Sequence, residues 1–223
     1  EEGYPSALQR CPGWLRANAV RVHRRLRVQV LIVQLATRAG EIAEMLADEH
    51  PDAAIELDYG SPWELLVATV LSAQCTDVRV NQVTPALFAR WPAPADLASA
   101  TQEDVETVIR STGMYRQKAS SLRKAARILV DEHGEEVPRN IEDLVALPGV
   151  GRKTAKVVLG EAFGIAAGVT VDTHVRRLAR RLGLTYLEDP EKIAKELESL
   201  LPRSEWITIS TRLILHGRRV CTA

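Results

Sequence analysis

From about Arg38 to Cys221 the apolar residues recur every three or four positions, in runs of six to about seventeen residues separated by short turn signals. Gly40 to Glu49 carries Ile42, Met45 and Leu46 at helical spacing and stops at His50-Pro51. Ser61-Pro62-Trp63-Glu64 places Ser at a cap, Pro at the first helical position and Glu three residues after the Ser, which predicts a capping box opening the helix Leu65 to Leu71. That helix is apolar nearly all round, so it is expected to be the buried central one. Further helices are predicted at Val78 to Phe88, Thr101 to Ile109, Arg116 to Glu132, Ile141 to Ala146, Lys153 to Phe163, Thr173 to Leu182, Pro190 to Leu200 and Trp206 to His216. So many short helices with brief links indicate an all-α protein of helix-on-helix packing.

Composition narrows this reading. In 223 residues, 46% are hydrophobic and only 4% aromatic, enough for a sizeable core and unlike a sandwich or barrel. Lys plus Arg and Asp plus Glu are 29 each, so a polyanionic partner would have to be met by a local patch. Cys11, Cys75 and Cys221 are scattered and odd in number, which argues against a secreted disulfide scaffold. The apolar run Val28 to Ala36 is short and broken by Gln29 and Gln34, so no membrane span is expected. A cytoplasmic protein follows as the default. Residues 1–37 are basic around Arg21 to Arg27 and lack a clear period until Val28; they are read as an N-terminal extension without assigned function. The first residue is Glu and the last are Cys221-Thr222-Ala223, directly after a helical run, so a fragment is expected.

The most informative run is 141–160: a short helix, then Leu147-Pro148-Gly149-Val150-Gly151, then a second helix from about Arg152. Gly149 and Gly151 permit a tight turn and close approach of a ligand. The second helix begins with unpaired N–H groups and the positive end of its dipole, an anion site to which Arg152 and Lys153 add charge. Val150 should point inward and pin the turn. An ordinary helix-to-helix connection would also use Gly and Pro, but the combined run is far more restrictive, and it matches a helix-hairpin-helix that grips DNA backbone without reading sequence.

LPGVGRKTAKVVL at 147–159, VDTHVRRL at 171–178, the run Val70-Leu71-Ser72-Ala73-Gln74-Cys75-Thr76-Asp77 and LILHGRRVC at 213–221 resemble the endonuclease III family, from about Arg38 to Cys221. The resemblance implies a helix-hairpin-helix DNA glycosylase fold: a six-helix barrel at 55–165, a second helical domain from 38–54 plus 166–223, and a cleft between them. It implies base excision repair by a DNA glycosylase and AP lyase acting on double-stranded DNA with oxidised pyrimidines or abasic sites. A monomer in the bacterial cytosol is expected.

By this resemblance Lys153 is the attacking amine. The positive helix end, and burial, would favour its neutral form, which can attack the sugar C1′ and leave a Schiff base. Asp172 matches the partner carboxylate, steadying charge on the sugar or taking a proton, although before Thr173-His174 it also reads as a helix N-cap. Gln74 matches the residue that fills the gap left by the extruded nucleotide; capping the next helix is its other reading. Met114 stands where the family often has a Leu wedging the opposite strand; plain core is the alternative. His174, with Gly149, Val150, Gly151 and Arg152, completes the expected DNA contacts. Arg116, Lys118, Arg123, Lys124, Arg176, Arg177, Arg180 and Arg181 form local basic clusters, some of which should meet phosphate. Cys221 matches the first of four cysteines that hold a [4Fe-4S] cluster in the family; the other three ligands are absent from this sequence. An adenine-mismatch glycosylase of the same superfamily would lack Lys at 153 and the Asp-Thr-His run, and a non-catalytic hairpin module would need neither.

Overall fold

The computed structural model describes residues 13–222, with side chains from residue 29 onward. Eleven α-helices and no strand are found among them: α1 (Gly13–Glu49), α2 (Pro62–Leu71), α3 (Asp77–Arg90), α4 (Pro94–Ser99), α5 (Gln102–Ile109), α6 (Tyr115–His133), α7 (Ile141–Ala146), α8 (Arg152–Phe163), α9 (Thr173–Arg181), α10 (Pro190–Leu200) and α11 (Trp206–Arg219). Ten of them contain a run of the apolar spacing described above, α1 only in its last part. Helix α4 was hidden from that reading by Pro92 and Pro94, although Pro at the first position of a short helix costs no hydrogen bond.

The apolar residues gather into two cores. The first joins α2 to α8, with Leu65, Leu66, Val67, Ala68 and Leu71 of α2 essentially inaccessible at its centre. Ser61 caps α2 by accepting the Glu64 N–H at 3.2 Å, while Glu64 reaches back to the Gly60 N–H at 2.6 Å, one residue earlier than a capping box requires. The second core is assembled from chain ends: Ala39, Ala43 and Leu46 of α1 pack with Val169, Val171 and the apolar faces of α9, α10 and α11.

The boundary placed at residue 37 falls inside one helix. Helix α1 starts at Gly13 and runs without a break to Glu49, because between Trp14 and Ala39 the chain has neither Pro nor Gly and is rich in Ala, Leu and Arg, so helix propensity persists where no apolar stripe exists. Val30, Leu31, Ile32 and Val33 are accordingly exposed. Residues 1–12, including Cys11, lie outside the described residues.

Candidate active site in the cleft

A cleft of about 300 Å³ opens between the two cores, walled by α8 on one side and by Thr170, Asp172 and α11 on the other. Lys153, Thr154, Lys156, Val157, Gly160 and Glu161 present one face of α8 to it, and Gln74 and Asp77 form its upper rim. Lys153 and Asp172 thus line one cavity although they stand 19 positions apart in the chain.

Helix α7 is capped by Asn140, whose Oδ1 accepts the Asp143 N–H at 2.9 Å. The turn that follows depends on Gly149, which has φ +85° and lies so close to α6 that a Cβ would stand 2.9 Å from Ser121 Cβ. Val150 is buried in the first core. Gly151 is extended, φ −88°, and a Cβ there would meet nothing within 4 Å. Its role is not conformational. As N-cap of α8 it offers no side-chain acceptor, so the first N–H groups of α8 stay open to an outside anion. Arg152 is exposed beside them, with only a loose 3.9 Å approach to the exposed Glu191.

Lys153 stands in that first turn and is exposed. The burial expected to help keep its amine neutral is therefore not found in the structure. Asp172 does cap α9: its Oδ1 accepts the Val175 N–H at 2.8 Å. Among the described residues no donor takes Oδ2, so the same carboxylate that starts α9 has one oxygen left for the cleft.

Two sets of polar contacts join the walls of the cleft. Lys156, one turn after Lys153 on α8, is buried, donates to the Val169 carbonyl at 3.2 Å, and faces Glu198 at 3.5 Å and Glu191 at 3.9 Å on α10. Glu198 in turn accepts the Val169 N–H at 2.9 Å, and Ser210 of α11 accepts the Thr170 N–H at 2.9 Å. The strand-like segment leading to Asp172 is thereby held from both sides. On the rim, Arg218 of α11 bridges Asp77 at 2.9 Å and Glu56; burial opposes its charge, but the two carboxylates outweigh it and raise its pKa. At the floor, burial pushes the Glu161 carboxyl above its ordinary range, an effect that a long 3.4 Å hydrogen bond from Thr211 only partly offsets.

Gln74 and Met114 share an unexpected feature. Both have left-handed backbones, φ +54° and +44°, and both are exposed. Gln74 does not cap α3; Thr76 does, accepting the Arg79 N–H at 3.3 Å. Met114 is 45% exposed at the start of α6, which excludes the core reading. Met114, the hairpin glycines, Arg152 and His174 lie off the cleft wall. His174 is half-buried against Gly217, and its Nδ1 is enclosed with no partner among the described residues.

The basic clusters are largely committed within the protein. Arg177 donates to the Gly217 and Cys221 carbonyls, Arg181 to Cys221 Sγ at 3.2 Å and the Thr222 carbonyl, Arg123 to the Ala100 carbonyl, and Arg180 pairs with Glu188. Lys118 is buried. Arg116, Lys124 and Arg176 are exposed, as are Arg180 and Arg181 despite their partners. Lys118, Lys156, Ser210 and Arg218 were not legible as site-building residues in the sequence, since a charge or hydroxyl in a helical run reads as a solvated face until its distant partner is known.

Cys221 stands against the second core, its Sγ accepting from Arg181. A [4Fe-4S] cluster needs about four thiolate ligands, and the described residues contain no group of three or more His, Cys, Asp or Glu able to hold a metal. Cys75 packs against the first core, away from Cys221 in the second. The described residues do not fit the complete cluster.

Comparison with known proteins assigns the family. Residues 67–203 match the model of the HhH-GPD superfamily base excision DNA repair proteins. The chain is 53% identical to an endonuclease III of Synechocystis sp. over 83% of its own length and 85% of the relative's. It is 41% identical to the Escherichia coli endonuclease III, over 82% and 86%. A solved non-covalent endonuclease III–DNA complex superposes with a TM-score of 0.80 at 42% identity, over 84% of this chain and 88% of that one, and a trapped covalent endonuclease III–DNA intermediate does so equally well. The chain therefore belongs to the HhH-GPD superfamily of base excision DNA repair proteins and, within it, to the endonuclease III family.

Proposed function

We propose that this protein removes oxidised pyrimidines from double-stranded DNA and then nicks the strand, with Lys153 as nucleophile and Asp172 as its partner. The observation that carries the proposal is the convergence of these two side chains on one cleft, each at the start of its own helix. The phosphate backbone is held at the open N–H groups of α8, which brings the sugar of an extruded nucleotide over the cleft. The Lys153 amine forms a bond to C1′ as the C1′–base bond breaks, and the base leaves with the bonding pair and takes up a proton. Asp172 faces the positive charge that develops on the sugar and accepts the proton that the attacking nitrogen loses. Opening of the sugar ring leaves a protonated imine between Lys153 and C1′. Loss of a C2′ proton then expels the 3′ phosphate, and water releases the enzyme from the imine. Gln74 and Met114, held outward at the rim and at the start of α6, are suited to fill the gap and to press on the opposite strand. His174 completes the backbone contacts.

The two cores support a division into a barrel domain at 55–165 and a second domain from 38–54 plus 166–223. No helix among the described residues is long and apolar enough to cross a membrane. A monomer acting on DNA in the bacterial cytosol suits these features. Borohydride trapping tests the chemistry: the native protein should form a covalent adduct with an oxidised-pyrimidine or abasic duplex, and Lys153→Gln should form none. Equal adduct yield in that variant would refute Lys153 as the nucleophile.

A further inference from the structure

The buried ammonium of Lys118 has no part in the chemistry above. It leaves the first turn of α6, enters the first core at 4% exposure, and donates to two main-chain carbonyls: Leu71 at 2.8 Å and Thr112 at 2.7 Å. Leu71 ends α2, three residues before Gln74; Thr112 ends the 3-10 turn Arg110–Thr112, two residues before Met114. Both carbonyls lie at helix ends, where the ladder leaves acceptors over and the dipole is negative, so a cation is the fitting partner for the pair. Water could satisfy each carbonyl singly. Only a single group bonded to both makes the two turns one body.

The backbone gives that union a purpose. Left-handed conformations at Gln and Met are disfavoured and persist only where the surroundings enforce them. Among the described residues Lys118 is the side chain hydrogen-bonded to both turns. Burying a charge in a core carries a large desolvation cost that an apolar residue of the same length would avoid. We infer that Lys118 is a positioning residue that locks the Gln74 and Met114 turns together, so that the two side chains enter the duplex in concert, one at the extruded nucleotide and one at the opposite strand. The inference rests on the function proposed above. It assigns Lys118 to extrusion of the nucleotide and not to attack on the sugar.

Lys118→Met and Lys118→Gln, made in the full chain, separate those two steps. Extrusion is read by the fluorescence of 2-aminopurine placed beside an oxidised pyrimidine in a duplex, and amine chemistry by borohydride trapping on a single-stranded abasic oligonucleotide, where nothing has to be unstacked. The expected result is at least a roughly tenfold slower fluorescence rise and base removal in duplex, with single-strand trapping within about twofold of the native protein. An unchanged fluorescence rise, or equal losses on both substrates, would overturn the assignment. Should both variants fail to fold, a double-mutant cycle that keeps Lys118 decides: Gln74→Ala and Met114→Ala together should slow extrusion no more than about twofold beyond the worse single change, and fully additive losses would refute a locked unit. A native protein that traps neither duplex nor single-stranded abasic DNA sinks the proposed function itself; normal trapping with Lys118-independent extrusion sinks only this inference.

Discussion

The starts of α8 and α9 face the same cleft and are finished in opposite ways. Helix α9 opens with Asp172, whose own Oδ1 takes up the Val175 N–H, so the positive helix end is answered from within. Helix α8 opens with Gly151, and no side chain answers its free N–H groups. A closed start brings a fixed carboxylate into the cleft with a second oxygen to use; an open start leaves room for a charge from outside. On the function proposed above, holding the DNA backbone and managing charge at the sugar would be divided between two helix ends of one kind by the identity of one residue at each.

The largest expected effect comes from removing the amine that the open end presents. Lys153→Gln should lower single-turnover strand cleavage by at least about a thousandfold while leaving duplex affinity nearly intact, as measured by binding anisotropy. At the closed end the two roles of Asp172 can be pulled apart. Asp172→Asn retains the cap and should lose roughly a hundredfold or more in turnover with little change in thermal midpoint, whereas Asp172→Ala should in addition lose about 1 kcal/mol of stability. If Asn at 172 turns over normally, the carboxylate is a cap and nothing else.

Next in size is the tie between the two ends. Lys156→Met leaves Glu198 and the Val169 carbonyl without their buried partner, and should cost about 3 kcal/mol. For a chain of this length that lowers the melting midpoint by on the order of 10 °C, readable by circular dichroism. Giving α8 the finish that α9 has makes the comparison direct. Gly151→Asp should raise stability by a few tenths of a kcal/mol and weaken duplex binding about tenfold, because the new carboxylate occupies and repels at the place reserved for phosphate. Unaltered affinity would mean that the hairpin holds no phosphate there.

The smallest effect concerns the floor between the two ends. The folded protein raises the Glu161 pKa by burial, so it binds that proton more tightly than the unfolded chain. The contribution favours folding at pH below the unfolded value and is lost as pH rises through the folded one. Glu161→Gln should therefore raise the melting midpoint at neutral pH, and the gain should shrink as pH falls toward the ordinary glutamate range; a gain independent of pH would point to packing instead.

Caps and turns were legible because they are local. Ser61 and Asp172 each accept an N–H three residues ahead, and Gly149 is required by its own φ as well as by Ser121. The buried α2 followed from the absence of any polar face. What escaped was non-local. Lys118 and Lys156 read as surface charges, yet their partners lie at Leu71, Thr112, Val169 and Glu198. Arg177 and Arg181 read as a DNA-facing cluster, yet they close on the far end of α11 at Gly217 and Cys221.

By itself the sequence determined most of the helices, the caps at Ser61 and Asp172 and the hairpin, since each depends on residues within about one turn of one another, while the expected nucleophile and carboxylate came from the resemblance. Only the tertiary structure decided that Lys153 stays exposed, that Asp172 keeps an oxygen for the cleft, and that two charged amines are spent inside. Desolvation and hydrogen-bond satisfaction depend on which distant segments arrive at a side chain, and the spacing of residues along a chain does not carry that information.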